Sequence, residues 1–254
     1  MKKLFSAKNI TYISLIFLLI WRLLTSIAIY WRGEIGTPFG TPYWEDVAFL
    51  CSSYSLFTII LWINKGNLHT INIDKNFIIL FIVMGGIYSL VIPVLFGALF
   101  GIATIFNLGI LFSDKSQYAK NELSYLSIGM FLAVWLVLDF IYFILVKNAN
   151  FSTGTSNLID LIFWANPPLI VAEEFLFRGL LWKCLLDFKF SENKVIYIQA
   201  FLFWLLHFYL GSTFFWLFLP LTSVLYGYLV ARAKSITPGI FLHLLHNIFS
   251  FVFR

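Results

Sequence analysis

Apolar residues occur along this chain in long continuous runs that short polar segments separate. A helix needs about 17–25 mainly apolar residues to cross the roughly 30 Å hydrocarbon core of a bilayer, and most of the runs are close to that length. The last three are somewhat shorter, as expected for helices packed inside a bundle. The pattern therefore predicts an all-α fold, a polytopic transmembrane helical bundle. The runs cover residues 10–31, 46–63, 77–112, 122–146, 158–182, 195–210, 214–231 and 238–253.

The third run is too long for one comfortable span. Proline and glycine inside it are expected to divide it into a tight helical hairpin or a re-entrant pair. The number of membrane segments then becomes eight or nine. The residues that favour a break are Gly85, Gly86, Pro93, Gly97 and Gly101.

The positions of the basic residues favour two crossings by this run, because cytoplasmic loops carry the excess of Lys and Arg in membrane proteins. With two crossings and a cytoplasmic N-terminus, the loop residues on the opposite side include only Arg32, Lys147 and Arg254 among the basic ones. A single crossing would divide the basic residues almost evenly. The first run contains Arg22 and is longer than the apolar part of a signal peptide, so we expect an uncleaved first span.

Composition agrees with a membrane domain, since the chain is 61% hydrophobic and only 11% charged, against about a quarter charged in soluble domains. The net charge of +5 comes from scattered residues without a basic cluster, which argues against nucleic-acid binding. Cys51 and Cys184 form no spacing motif and are expected to be structural thiols. A polar connector at residues 152–156 separates N-terminal transmembrane segments, residues 1–157, from a motif-bearing core, residues 158–254, within one integral membrane domain.

Two adjacent carboxylates and an arginine interrupt the fifth run: Glu173, Glu174 and Arg178. Ionisable groups at membrane depth cost about 2.5–3.5 kcal/mol each on insertion scales, so they are candidates for function. Glu174 and Arg178 are four residues apart and are expected to form an ion pair on one helix face. Glu173 is turned about 100° away and has no basic partner on its own helix, which makes it a candidate general base. The preceding Pro167 and Pro168 predict that the helix begins near Pro168 or is kinked there.

Two later runs carry histidines. His207 lies near the end of one run, and His243 and Asn247 lie four residues apart on one face of the last, with His246 beside them. A single His or Asn in a membrane helix usually serves as an interhelical hydrogen-bonding group. A Glu, a His and a His–Asn pair on three separate spans instead favour a shared site. We interpret the other polar residues within the runs as topological or packing residues: Arg22, Asn107, Asp139, Asp160 and Gln199.

The spacing of these residues resembles the three motifs of the CPBP family. These are CAAX proteases and bacteriocin-processing (Abi-type) intramembrane endopeptidases, related to type II CAAX prenyl endopeptidase. The resemblance covers roughly residues 158–253. It rests on Glu173-Glu174-xxx-Arg178, Phe203-xxx-His207 and His243-xxx-Asn247.

The resemblance implies an intramembrane endopeptidase that hydrolyses a peptide bond of a membrane-associated protein or peptide. By this resemblance, Glu173 and His207 activate the water that attacks the scissile carbonyl, and His243 and Asn247 stabilise the oxyanion. The chemistry agrees, because peptide hydrolysis needs a base and hydrogen-bond donors for the developing oxyanion. Supporting roles are expected for Glu174 and Arg178, which match architectural positions of the family, and for His246, which matches no motif.

Alternatives remain open at this point. Glu173, His207 and His243 would make a His₂Glu zinc site with an open fourth position, although the chain has no HExxH motif. We expect the metal-independent mechanism, without a cofactor, and keep zinc as the alternative. A non-catalytic membrane scaffold or regulator is a second alternative. An ion-coupled transporter is a third, disfavoured because no matching second half is visible.

The expected partners are a peptide or membrane-protein substrate and the lipid bilayer, and no nucleic acid. Usage rich in Phe, Ile, Asn and Lys, with short loops, is typical of a bacterial chain. We therefore expect a multi-pass protein of a bacterial cytoplasmic membrane with a cytoplasmic N-terminus.

Overall fold

The structure is a computed structural model, and within the part of the chain that it describes every regular element is a helix. This confirms the predicted all-α class. The expected connector at residues 152–156, the boundary at residue 157, and Asp139 and Asp160 lie outside the described residues. The described ranges are 7–32, 44–91, 94–113, 115–120, 129–134, 136–138, 140–141, 167–208 and 214–252.

The helices follow the apolar runs, and polar residues mark several of their ends. Glu192 begins a helix, where a carboxylate is favoured by the helix dipole, and Lys234 ends one in a left-handed conformation, with φ of 54°. A 3₁₀ helix, Lys65–Ile71, was not expected. The helices are α1 (Ala7–Arg32), α2 (Trp44–Ile63), α3 (Lys75–Val91), α4 (Val94–Leu111), α5 (Pro167–Glu174, Phe175–Leu181 and Trp182–Asp187 in succession), α6 (Glu192–Leu205), α7 (Phe214–Phe218 followed by Leu219–Ala233) and α8 (Thr237–Val252).

The third apolar run forms two packed helices, α3 and α4, which agrees with both predicted alternatives, a hairpin and a re-entrant pair. Gly85 and Gly101 lie inside the helices and do not break the run, and Pro93 lies outside the described residues. Gly85 instead permits close packing, since a Cβ at this position would lie 2.6 Å from Thr104 Oγ1. Ser89 lies against Gly101 further along the same pair, so the two helices run antiparallel.

Two described helices are long and apolar enough to cross a membrane, Asn9–Trp31 and Trp216–Ala233. A third candidate is the pair Lys65–Ile71 and Lys75–Leu90, which is bent by 103° and forms either a broken span or a re-entrant loop. Several other apolar helices are shorter, so the predicted total of eight or nine segments stays a prediction. The shorter helices are Leu50–Ile63, Gly97–Leu111 and Gly129–Leu138.

Helix α1 has an exposed apolar face and a buried face that carries polar groups. Ile13, Ile16 and Ile20 are all more than half exposed, at the helical spacing of one face. Arg22 and Ser26, by contrast, are buried. Since an exposed row of large apolar side chains is stable against lipid but not against water, this face fits the surface of an integral membrane protein.

An aromatic core joins the N-terminal helices to α5. Tyr54 of α2 stacks on Phe81 of α3, with ring centroids 4.2 Å apart. Phe57 meets Phe175 of α5 edge to face, also at 4.2 Å, and Phe77 contacts the same ring at 5.4 Å. These rings are fully buried or nearly so. The N-terminal helices therefore hold α5 where its polar residues lie.

A buried carboxylate makes a second connection between the two parts of the chain. Asp74 Oδ1 accepts a hydrogen bond from the amide of Phe77, at the start of α3. Its two carboxylate oxygens also accept hydrogen bonds from the hydroxyls of Ser235 at 2.7 Å and Thr237 at 2.6 Å. Because Ser235 lies in the turn between α7 and α8 and Thr237 is the first residue of α8, Asp74 fixes the start of α8 against α3.

Candidate functional site

Helix α5 changes its winding at the acidic motif. An α-helical segment ends at Glu174, and the next seven residues, Phe175–Leu181, form a π-helical turn before the α-helix resumes. π-Helical turns within α-helices are frequent at functional sites. The described part of α5 begins at Pro167, and since residue 166 and those before it lie outside the described residues, the predicted start of the helix near Pro168 stays a prediction. The alternative, a kink at these prolines, depends on residues 161–166, which lie outside the described residues.

Glu173 forms an ion pair with Arg22 of α1. Arg22 Nη2 lies 2.7 Å from Glu173 Oε1, and the side chains are only 1% and 4% exposed. The interpretation of Arg22 as a topological or packing residue was wrong. It could not be corrected from helix spacing, because the two residues are 151 positions apart and lie on different helices.

His207 completes a triangle with this pair. Its Nε2 lies 3.5 Å from Glu173 Oε1 and 3.3 Å from Arg22 Nη2. Its Nδ1 lies 2.7 Å from the carbonyl oxygen of Phe203, and a carbonyl can only accept, so Nδ1 carries a proton. In the neutral imidazole the lone pair is therefore on Nε2 and points toward Glu173 and Arg22. This is the orientation that a general base needs.

Helix α1 is attached to the motif-bearing helices on both sides of Arg22. Tyr12 OH donates a hydrogen bond to Asp187 Oδ2 at 2.8 Å, at the end of α5. Ser26 Oγ, one turn after Arg22, donates to the carbonyl oxygen of Leu206 at 2.5 Å, directly before His207. The position of Arg22 relative to Glu173 and His207 is thus fixed by contacts above and below it.

Glu174 and Arg178 form the predicted ion pair within α5. Arg178 Nη1 lies 2.9 Å from Glu174 Oε1, and both side chains are fully buried. Arg178 Nη2 also lies 3.5 Å from the carbonyl oxygen of Ser223. Glu174 Oε2 is buried without a hydrogen-bond partner among the described residues. It lies against Gly239 of α8, where a Cβ would be 3.1 Å away.

His243 bonds to Glu174 rather than to Glu173. Its Nδ1 lies 3.0 Å from Glu174 Oε1, and a carboxylate in an ion pair accepts, so Nδ1 carries the proton. The sequence did not predict this partner. Asn247 lies one turn later on α8 and is partly buried, while His246 is buried.

Phe203 of α6 lies between the two charge clusters. Its ring centroid is 4.3 Å from that of His207 and 5.8 Å from that of His243. The guanidinium of Arg178 stands over the same ring at 4.5 Å, a cation–π geometry. The motif position Phe203 therefore separates the Arg22–Glu173–His207 cluster from the Glu174–Arg178–His243 cluster while contacting both.

The side chains proposed for zinc are not gathered around one point. In the described ranges, no three His, Cys, Asp or Glu side chains converge as a metal site. His243 is directed to Glu174, and the guanidinium of Arg22 lies beside both Glu173 and His207. A cation already adjoins these two ligands, so the arrangement does not fit the His₂Glu zinc site.

Comparison with known families gives a match over the motif-bearing part of the chain. Residues 156–249 match the family model Rce1-like, described as type II CAAX prenyl endopeptidase Rce1-like. The matched range includes the three predicted motifs and nearly coincides with residues 158–253, so the predicted resemblance is confirmed. Arg22 lies outside it. Comparisons with curated proteins and with solved structures gave no match.

Proposed function

We propose that this chain is an intramembrane endopeptidase, because residues 156–249 match the family model described as type II CAAX prenyl endopeptidase Rce1-like. It hydrolyses a peptide bond of a membrane-associated protein or peptide. The observation that carries the proposal is the buried contact between Glu173 Oε1 and His207 Nε2, 3.5 Å apart across two helices. A carboxylate and an imidazole lone pair at this separation can share one water molecule.

Hydrolysis by this pair needs no covalent intermediate. Glu173 and His207 take one proton from the water as its oxygen attacks the carbonyl carbon of the scissile bond. The carbonyl oxygen becomes an oxyanion, and the proton passes to the nitrogen of the leaving amine as the C–N bond breaks. General-base catalysis of this kind contributes about 10²–10⁴-fold.

The oxyanion is stabilised by hydrogen-bond donors, for which His243 and Asn247 are the proposed residues. The amide nitrogen of Asn247 donates without any change of protonation. His243 is more constrained, because its Nδ1–H donates to Glu174. Its Nε2 can donate only when the ring carries both protons. Loss of one oxyanion donor typically lowers kcat about 10²–10³-fold.

A metal-independent mechanism is part of the proposal. It is supported by the guanidinium of Arg22 beside Glu173 and His207. Metal analysis of the purified protein tests it directly. Stoichiometric zinc that disappears in a His207→Ala variant would overturn the glutamate–histidine mechanism in favour of the zinc route.

We further propose that the protein lies in a bacterial cytoplasmic membrane with its N-terminus in the cytoplasm. The distribution of Lys and Arg between the predicted loops supports this orientation. Its substrates are then peptides or membrane proteins, reached from within the bilayer.

Purified protein in detergent micelles, assayed with a library of internally quenched apolar peptides, tests the activity. Glu173→Gln and His207→Ala are expected to abolish cleavage, because each removes one of the groups that activate water. Glu192→Gln is the matched control: its carboxylate pairs with Lys234 and is about half exposed, so cleavage should be unchanged. Undiminished cleavage by Glu173→Gln would disprove the proposed enzyme. Complementation of a deletion phenotype by both inactive variants would instead indicate a scaffold.

A further inference from the structure

We infer that Arg22 of α1 is a positioning residue for the Glu173–His207 pair, so that a helix outside the matched range completes the site. The inference rests on the proposed function. Three observations carry it: the contacts that Arg22 makes, its burial, and the way α1 is attached on either side of it.

The contacts of Arg22 join both members of the pair. One guanidinium nitrogen, Nη2, lies 2.7 Å from Glu173 Oε1 and 3.3 Å from His207 Nε2. Arginine can only donate hydrogen bonds, so it fixes which carboxylate oxygen and which imidazole lone pair face each other. Without this donor, the lone pairs of two acceptors would face each other at 3.5 Å, and their repulsion would push them apart.

The positive charge of Arg22 is also needed to neutralise the buried carboxylate of Glu173. Glu173 is 3% exposed, and a buried carboxylate without a counter-charge is strongly disfavoured. Arg178 does not serve this purpose, because it pairs with Glu174. In the described part of the chain, Arg22 is the guanidinium that contacts Glu173.

Local contacts of α1 hold Arg22 in this place. Ser26, one turn further on the same buried face, bonds to the backbone of Leu206, the residue before His207. Tyr12 bonds to Asp187 at the end of α5. A guanidinium on a helix tied to both α5 and α6 can set the distance between Glu173 of α5 and His207 after α6.

Kinetics of Arg22 variants test the inference, with the library peptide that the wild-type protein cleaves fastest as the probe. Arg22→Ala is expected to lower kcat about 10²-fold, with KM changed less than about twofold, because misplacement of reacting groups acts on the chemical step. Arg22→Lys keeps the charge but not the planar set of donors, and we expect about a tenfold loss. Arg232→Ala, on an exposed residue of α7, is the control for removal of an arginine.

Chemical rescue separates positioning from a merely structural role. Millimolar guanidinium added to Arg22→Ala is expected to restore kcat at least severalfold, since the ion fits the space that the side chain leaves. The same addition should not help Glu173→Gln. Full kcat in Arg22→Ala while Glu173→Gln is inactive would overturn the inference and leave the proposed function intact. Activity of Glu173→Gln would overturn the function instead.

Thermal unfolding in detergent tests the pairing without an assay of activity. Arg22→Met should lower Tm by several degrees because it leaves Glu173 buried and unpaired. The double variant Arg22→Met/Glu173→Gln should recover part of this loss, since neither charge remains. Additive losses in the double variant would contradict the pairing.

Discussion

Two carboxylates that are neighbours in sequence have partners of different origin. Glu174 is paired within its own helix, by Arg178 four residues later. Glu173 is paired by Arg22 on the first helix, 151 positions away. Helix geometry explains the difference, because successive residues point about 100° apart, so the two carboxylates cannot share one local partner. The local pair belongs to the architecture of α5, and the distant pair brings α1 into the site.

Replacing the two carboxylates one at a time is expected to have its largest effect on activity. Glu173→Gln should lower cleavage at least about 10³-fold, whereas Glu174→Gln should lower it about 10–100-fold, because Glu174 acts through the orientation of His243. Initial rates on the fastest library peptide measure both. Equal losses would show that Glu174 is as important for catalysis as Glu173, and would contradict a purely architectural role for Glu174.

The next largest effect is on stability. Arg178→Met is expected to destabilise the protein by about 3–5 kcal/mol, since removing one partner of a buried ion pair leaves an uncompensated charge. The contact of Arg178 with the ring of Phe203 is lost as well. Thermal unfolding of detergent-solubilised protein measures the loss, and Arg232→Met serves as the exposed control. A change in Tm no larger than that of the control would contradict this prediction.

A smaller effect is expected at Asp74, another connection between distant parts of the chain. Asp74→Asn replaces one of the oxygens that accept from Ser235 and Thr237 by a donor. The expected cost is about 1–3 kcal/mol, the cost of leaving buried polar groups unsatisfied. Glu192→Gln, which breaks the exposed pair with Lys234 nearby, should cost at most about 1 kcal/mol. Equal melting temperatures of the two variants would show that the Asp74 cluster adds no stability.

The smallest effects concern packing away from both charge clusters, and they distinguish stability from catalysis. Gly85→Ala places a Cβ 2.6 Å from Thr104 Oγ1 and should cost about 1–3 kcal/mol. Its neighbour Gly86 has open space around the Cβ position, so Gly86→Ala should be stabilising, by up to about 1 kcal/mol. Both variants should keep the wild-type kcat below their Tm. A large loss of kcat in either would show that the α3–α4 pair affects the site.

The parts of the molecule that the sequence predicted are those that depend on local spacing. Apolar runs predicted the helices, and the interval of four residues predicted the Glu174–Arg178 pair. The partner of Glu173 depends on which helices become neighbours, and a single sequence carries no such signal. The cost of a charge in an apolar run did mark Arg22 as unusual, but it did not name the partner.

Other features could not be predicted for a different physical reason. The π-helical turn Phe175–Leu181 differs from an α-helix only in its hydrogen-bond register, and its apolar composition suits both. The bond of His243 to Glu174 depends on how α8 packs against α5, which the carboxylate of Asp74 and the absence of a side chain at Gly239 help to determine. Neither residue belonged to a recognised motif.

The long sequence separation of Arg22 and Glu173 has a consequence for the insertion of the chain into the membrane. Helix α1 is synthesised before α5, and at about 5–20 residues per second the ribosome needs about 8–30 s to add the 151 residues that separate Arg22 from its partner. During this interval α1 must insert with its arginine uncompensated, at a cost of about 2.5–3.5 kcal/mol. An 18-residue window within Asn9–Trp31 has a mean hydropathy of 2.1, so the apolar residues around Arg22 favour insertion and offset that cost. When α5 packs against α1, Glu173 neutralises the charge of Arg22. The site is therefore assembled only after the later helices have packed against α1.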